Sequence, residues 1–151
     1  MPRSCIIPVT WQYQTKWQTM RSKPALTFDD AQRILAAALE KAVQQHWAVS
    51  VAVVDDGANL LSFARMDGAK LGSICTAIEK ARSSVLFERP TKALEEIIAS
   101  GRNAMLKLPN SVPIQGGVPL VHEAAIVGAI GVSGVASFED EQVAHAGAAT
   151  L

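Results

Sequence analysis

Charged side chains cluster where a strand-like run of the chain gives way to a helical run. Arg65 and Asp67 end a strand-like run, while Lys80, Arg82 and Arg89 lie on or just after the helical stretch that follows. Cationic groups that converge on one rim of a sheet are suited to gripping a carboxylate, which arginine binds with two hydrogen bonds at once. The alternative is an ion-pair network that fixes the crossing from strand to helix, with Asp67 capping the helix.

A glycine pair, Gly116 and Gly117, comes directly before Val118 and Pro119. Backbone N–H groups of such a turn form a nest for an anion, so Gly116, Gly117 and Pro119 are predicted to complete the same ligand site. Relief of strain in a tight turn is the alternative explanation.

The three histidines have no spacing typical of a metal site. His46 follows the apolar stripe of a helix and precedes Trp47, which suits an imidazole facing a flat apolar ligand; a histidine at a subunit contact has the same pattern. His122 lies on an apolar strand, and we predict that it either faces a pore or lies at an interface. His145, on the last helix, is expected to be solvated or at an interface.

Two further residues have reactive side chains. Cys75 is predicted near the N-terminus of a helix, where a thiolate is favoured, but no histidine neighbours it in sequence and a packed helix is the alternative. Asp140 is explained as a carboxylate at a helix start, and it is also placed to face the hairpin glycines.

These residues must be positioned by the elements around them, of which the first are a helix and a hairpin. Thr27 and Asp30 form a capping-box-like pair at the helix start. The runs 49–54 and 60–66 predict two strands joined by the turn-forming segment 55–59. The apolar stripe of the helix consists of Ala31, Ile34, Leu35, Ala38, Leu39 and Ala42.

Three more helices and a second hairpin are predicted in the rest of the chain. The hairpin runs 118–121 and 126–132 flank a connection that lacks residues with easy access to positive φ, which predicts a turn other than the tight two-residue type. Its glycines at every third position predict close approach of a helix or a ligand. Residues 103–111 predict an irregular loop. A helix is expected from about Ser73, and Thr91 and Ser137 are expected to cap the next two helices, the last with Asp140 as capping partner.

The element order is helix, two strands, two helices, about three strands and helix. Strands joined by tight turns pair in antiparallel fashion, so the prediction is an α+β fold with a central antiparallel sheet of about five strands and helices packed on it. A chain of 151 residues with 49% apolar content suits one domain. We predict a domain at 26–151 and an N-terminal arm at 1–25, whose aromatic residues contact the domain or a neighbouring subunit.

Composition excludes several function classes. Fourteen basic and fourteen acidic side chains leave no net charge to attract nucleic acid. No apolar run approaches the roughly eighteen residues of a membrane span, and the N-terminus lacks the apolar core of a signal peptide. A cytoplasmic protein with no membrane or nucleic-acid partner is the expectation.

Six short motifs, in this order and spacing, carry a resemblance to a known family. Residues 26–151 resemble the GlcG/HbpS haem-binding family, which includes the C-terminal domain of PduO-type cobalamin adenosyltransferases. The resemblance implies a profilin-like fold and a homo-oligomer. The motifs are Val51–Asp55, Arg65–Ala69, Lys80–Arg82, Arg89–Thr91, Gly116–Leu120 and Gly128–Gly134.

The family resemblance also implies a small-molecule ligand. Haem, or less favourably a corrinoid, is the expected cofactor, with His46 as the axial donor in the first-helix region and the cationic set holding the propionates. On this hypothesis the protein is a non-catalytic binding protein. The alternative is an enzyme or accessory factor acting on a small carboxylate or hydroxy acid in glycolate- or diol-type catabolism, with Arg65, Lys80 and Arg89 binding the substrate and Asp67 or Asp140 transferring a proton.

Overall fold

The structure, a computed structural model, describes residues 22–151. The arm predicted at residues 1–25 falls almost wholly outside this range, so its contact with a subunit stays a prediction. The elements are α1 (Phe28–Gln44), β1 (Ser50–Asp55), β2 (Leu60–Arg65), α2 (Ser73–Leu86), α3 (Thr91–Ala99), a 3-10 helix (Asn103–Lys107), β3 (Gly117–His122), β4 (Ala125–Ser133) and α4 (Ser137–Ala148).

The strands form one sheet in the order β2-β1-β4-β3, and every pair of neighbours is antiparallel. The α+β class and the antiparallel sheet are therefore confirmed, but the described residues contain four strands rather than about five. The segment before β3 does not pair with the sheet. Its Val112 donates its backbone N–H to the Ser83 hydroxyl at 2.7 Å, and Pro113 next to it has no N–H to give.

The two faces of the sheet carry side chains of different size. Helices α1 and α4 cover one face, where Val51, Val53, Ile130 and Val132 are buried. Helix α2 covers the other face, whose buried strand residues are smaller and include Ala52 and Ala129. Small side chains let α2 lie close to the strands, so the sheet is the middle of three layers.

Gly131 shows how close that approach is. A Cβ atom at this position would overlap the Ala77 carbonyl oxygen of α2 and lie 2.5 Å from the Ala81 nitrogen. The glycine thus allows helix backbone to rest directly on strand backbone. The prediction of close-approach glycines in this hairpin is confirmed here, with a helix as the neighbour.

Local hydrogen bonds fix where the helices start, and the sequence predicted only some of the capping residues correctly. At α1 the Thr27 hydroxyl accepts from the Asp30 N–H at 3.2 Å and the Asp30 carboxylate accepts from the Thr27 N–H at 3.0 Å, so the predicted capping box is confirmed. The other two predicted caps are wrong by one residue. Pro90 precedes α3 in place of Thr91, and Ala136 precedes α4 in place of Ser137.

The second hairpin closes through the tight turn that its sequence argued against. Glu123 and Ala124 have φ values of +46° and +64°, and His122 pairs with Ala125 across them. Positive φ at both central residues is characteristic of the type I′ turn, whose twist matches that of the flanking strands. The prediction of a different or longer turn was wrong, because the pairing of two well-buried strands imposes the turn on residues that disfavour it.

We therefore expect Ala124→Gly to raise the free energy of unfolding by about 1 kcal/mol. A residue with a Cβ atom in the left-handed region costs roughly 1–2 kcal/mol, which glycine avoids at some expense in chain entropy. Urea denaturation of the variant and the parent measures the difference. The matched control is Ala125→Gly, one residue further along and inside β4, which is expected to destabilise; equal effects of the two substitutions would contradict the assigned turn.

Candidate functional site

The predicted cationic rim does not exist as one site. Arg65 pairs with Ser50, whose hydroxyl lies 2.8 Å from that of Ser73, so Arg65 and the nearby Asp67 are at the beginning of α2. Arg89 follows the other end of that helix. Fourteen residues of α-helix span about 20 Å, so the two ends of the set are too far apart to hold one carboxylate. The predicted convergence was wrong because it placed both ends of a helix on one rim.

Asp67 and Arg82 also differ from their predicted roles. Gly72 precedes α2 and no side chain caps that helix, so the prediction that Asp67 caps it was wrong. Arg82 donates to the Glu79 carboxylate at 2.8 Å and to the Ala58 carbonyl oxygen at 3.2 Å. It therefore attaches α2 to the turn between β1 and β2.

Lys80 is buried and is occupied by protein groups. Its ammonium group donates to the Asp140 carboxylate at 2.9 Å and to the Val132 carbonyl oxygen at 3.0 Å, and the side chains of Lys80 and Asp140 are 1% and 3% exposed. The other Asp140 oxygen accepts from the Val135 N–H at 3.2 Å. We call this contact the Lys80–Asp140 bridge; it joins α2 and α4, which lie on opposite faces of the sheet.

The bridge gives both residues structural roles. Burial raises the pKa of the Asp140 carboxyl above its ordinary value, while the hydrogen bond and charge of Lys80 act in the opposite direction. In the described chain both groups are occupied by protein partners and are almost fully buried. Ligand binding by Lys80 and proton transfer by Asp140 gain no support from this arrangement and stay predictions.

Gly116 and Gly117 make room for this bridge. Gly116 has φ +123°, and a Cβ atom there would lie 2.9 Å from the Lys80 ammonium nitrogen and 3.0 Å from the Asp140 Cβ atom. The Gly117 N–H donates to the Thr91 hydroxyl at 2.8 Å. The Gly117 N–H is thus occupied by a protein group, and an anion nest at this pair stays a prediction. Asp140 lies near Gly116, before β3, and is not among the nearest neighbours of the hairpin glycines at 128, 131 and 134.

Pro119 belongs to the same edge of the molecule. It lies in β3, the last strand of the sheet, and pairs with Ala129 of β4. An edge strand tolerates proline because its outward side needs no N–H donor. This position explains Pro119 without a ligand.

His46 lies in a crevice at the C-terminal end of α1. The crevice has a volume of about 350 Å³ and is open to solvent; we call it the His46 crevice. It brings together two residues of the predicted site, His46 and Asp67, and adds a donor that the sequence did not single out, the thioether of Met66. Its lining residues are Val43, His46, Trp47, Ala48, Met66 and Asp67.

The backbone at His46 differs from the prediction that the residue continues the apolar face of α1. The helix ends at Gln44, and His46 has φ +58°. The His46 N–H donates to the Val43 carbonyl oxygen at 3.1 Å and the Trp47 N–H donates to that of Ala42 at 2.9 Å. These two bonds form a Schellman motif, in which the position of His46 is usually glycine.

The remaining reactive side chains are dispersed. His122 ends β3, His145 lies on α4 and Cys75 on α2, and all three are exposed. Residues 22–151 contain no group of three or more histidine, cysteine or acidic residues that could hold a metal ion. No helix in that range is long and apolar enough to cross a membrane.

Comparisons with known proteins agree on one family. The family model for haem degrading protein HbpS-like matches residues 26–149. Protein GlcG of Escherichia coli strain K12 is 42% identical over 114 residues, which cover 76% of this chain and 85% of GlcG.

Two solved structures share the fold. A crystal structure of HbpS superposes with a TM-score of 0.82 at 36% identity and covers 87% of this chain and 94% of that chain. A crystal structure of a PduOC complex with haem superposes with a TM-score of 0.77 at 28% identity and covers 85% of this chain and 96% of that chain.

Proposed function

The chain belongs to the family of HbpS-like haem-degrading proteins, as its motifs predict, and on that premise we propose that it binds haem in the His46 crevice. A solved relative, PduOC, is a haem complex. The proposal concerns binding, and His46 is its axial donor.

The observation that carries the proposal is that the imidazole of His46 and the thioether of Met66 line one crevice with Trp47, and the backbone of His46 supplies its control variant. A left-handed residue with a Cβ atom costs about 1–2 kcal/mol, and glycine at the same position would avoid that cost. The same conformation occurs at five other non-glycine residues of the described range, so it fixes the backbone from which the His46 ring extends and is not by itself a sign of function. His46 is one of the residues that line the crevice.

The other walls suit a flat apolar ring with an iron centre. Trp47 is half-buried and offers an aromatic surface, and Met66 supplies a thioether, which together with imidazole is a known pair of haem ligands. Met66 is held in place because its N–H donates to the Val49 carbonyl oxygen at 3.0 Å. When bound, haem would supply a redox-active iron; the described residues hold it by one or two donors and by apolar contact.

The crevice size sets how the ring would lie. Its volume of about 350 Å³ is at the lower end of the range of about 300–1,000 Å³ for pockets that bind drug-sized ligands. The crevice would therefore enclose only part of a porphyrin, and the Asp67 carboxylate on its wall would disfavour the propionates there.

The test is a haemin titration followed by Soret absorption, with His46→Gly as the decisive variant. We expect the parent to give a sharp band that saturates at a fixed ratio of haem to subunit, and His46→Gly to lose it. Because glycine is favoured at this backbone position, the variant should be at least as stable as the parent, which separates ligation from folding.

Two further variants complete the titration. His145→Ala removes an exposed histidine of α4 and is expected to titrate like the parent. Met66→Leu keeps the apolar wall and should move the Soret maximum if the thioether is the second ligand. A titration that saturates equally in the parent and in His46→Gly would rule out the proposed site.

A further inference from the structure

A second cavity lies at the opposite end of α1 from the His46 crevice. Its volume is about 170 Å³, and it is lined by residues of the segment before α1, of α1 itself and of the second hairpin. Arg33 and His122 supply its cationic and imidazole groups, while Leu26 and Val127 contribute apolar surface. We call it the Arg33 cavity. About ten residues of α1 separate Arg33 from the helix end, or about 15 Å, so the two cavities are distinct.

Arg33 is held at the cavity by one of its five N–H groups. Its Nη2 atom donates to Asp30 Oδ1 at 2.7 Å. Among residues 22–151 the guanidinium makes no other hydrogen bond, so most of its donors are free to bind a ligand. The side chain is 60% exposed, so a carboxylate can reach these donors, and the planar guanidinium suits one.

Asp30 also lines the cavity, but its charge is compensated. Its Oδ2 atom accepts from the Thr27 N–H at 3.0 Å and from the Thr27 hydroxyl at 2.7 Å. These hydrogen bonds, with a smaller contribution from Arg33, lower the pKa of Asp30 below its usual value. The carboxylate thus stays ionised and is committed to capping α1 and to orienting Arg33.

His122 gives the cavity its second polar group. It is the last residue of β3 and pairs with Ala125 beside the tight turn, which fixes the backbone from which the ring extends. Within the described part of the chain its ring has no hydrogen-bond partner, although it is exposed. A guanidinium, an imidazole and an apolar wall together match a small anion with an apolar body.

We propose that the Arg33 cavity binds a short-chain monocarboxylate, with Arg33 and His122 holding the carboxylate and the alkyl chain lying on Leu26 and Val127. The volume of about 170 Å³ suits a short alkyl chain better than a fused ring system. A single carboxylate suits the cavity because Asp30 would repel a second one. This site does not depend on haem binding and uses none of the residues of the His46 crevice.

The experiment is calorimetric titration of the full chain with butyrate and with acetate, at constant ionic strength set by chloride. We expect saturable binding of butyrate, tighter than acetate by about fourfold for each methylene that is buried. Naphthoate, which carries a ring system, should bind no more tightly than acetate. Equal affinity for all three carboxylates would overturn the proposal, because it would indicate attraction to surface charge alone.

Three variants assign the site. Arg33→Gln is expected to weaken butyrate binding by at least tenfold, whereas Arg102→Gln, an exposed arginine beside the 3-10 helix, should not change it. Ala25→Phe keeps both polar groups and fills the cavity, so it should abolish binding. Unchanged binding in Arg33→Gln or in Ala25→Phe would refute the site. Butyrate is also titrated into His46→Gly, where binding is expected to persist. A failure of the haem proposal can then be told apart from a failure of this one.

Discussion

Replacing Lys80 by methionine is expected to lower the free energy of unfolding by about 3–5 kcal/mol, the cost of removing one partner of a buried ion pair. The substitution leaves the Asp140 carboxyl buried at 3% exposure without its ammonium partner and removes the donor to the Val132 carbonyl oxygen. Domains of this kind have a total stability of about 5–15 kcal/mol, so the loss is a large fraction of the whole. Urea denaturation followed by circular dichroism measures it.

Two comparisons test the cause of that loss. Lys107→Met removes an exposed lysine of the 3-10 helix and is expected to change stability by less than about 0.5 kcal/mol. The double variant Lys80→Met with Asp140→Leu removes both charges and should recover most of the stability, since no buried charge is left unpaired. A loss of under about 1 kcal/mol in Lys80→Met would contradict the burial of the Lys80–Asp140 bridge.

Gly131→Ala is expected to destabilise the fold by about 3 kcal/mol, at the upper end of the cost of overpacking a core. The added Cβ atom would meet the backbone of α2 at Ala77 and Ala81, and backbone cannot rotate away as a flexible side chain does. The helix must therefore move off the sheet and lose contacts along its buried face. The shift of the urea midpoint at constant m-value gives the size of the effect.

The matched control is Gly72→Ala at the start of the same helix. A Cβ atom there has no neighbour within 4 Å, and Gly72 has a φ of −63° that alanine adopts freely. This substitution is expected to be neutral or slightly stabilising. If Gly131→Ala were equally neutral, α2 would not lie against β4 as closely as described.

Most of the fold was predictable because its elements carry strong periodic patterns. The stripe of α1 and the two hairpins follow spacings that a sequence displays directly, and the capping box of α1 rests on two residues three apart. The turn at Glu123 and Ala124 was not predictable in this way. Neither residue favours positive φ, and the turn follows from the strand pairing on both sides of it.

The site was harder to predict because its contacts join distant residues. No local pattern indicates that the side chain of Lys80 meets Asp140, since neither the apolar spacing of α2 nor the start of α4 distinguishes a buried charge from an exposed one. The ligand role of His46 stays a prediction; the structure places it in one crevice with Asp67, which the sequence had grouped with other residues, and its place in a Schellman motif depends on where α1 ends. The sequence did not single out Met66 and Arg33, which line the two cavities, because each also fits an ordinary structural position. The predicted homo-oligomer stays a prediction.

The Lys80–Asp140 bridge also has a consequence for the rates of folding. It joins residues 60 positions apart, so the segment between them must be closed into a loop before the bridge can form. Contacts of that sequence separation, between helices on opposite faces of a sheet, are expected to form late in folding. An interaction that is absent from the transition state stabilises the native state mainly by slowing unfolding. The bridge is thus expected to slow unfolding, and so to extend the lifetime of the folded chain, more than it speeds folding.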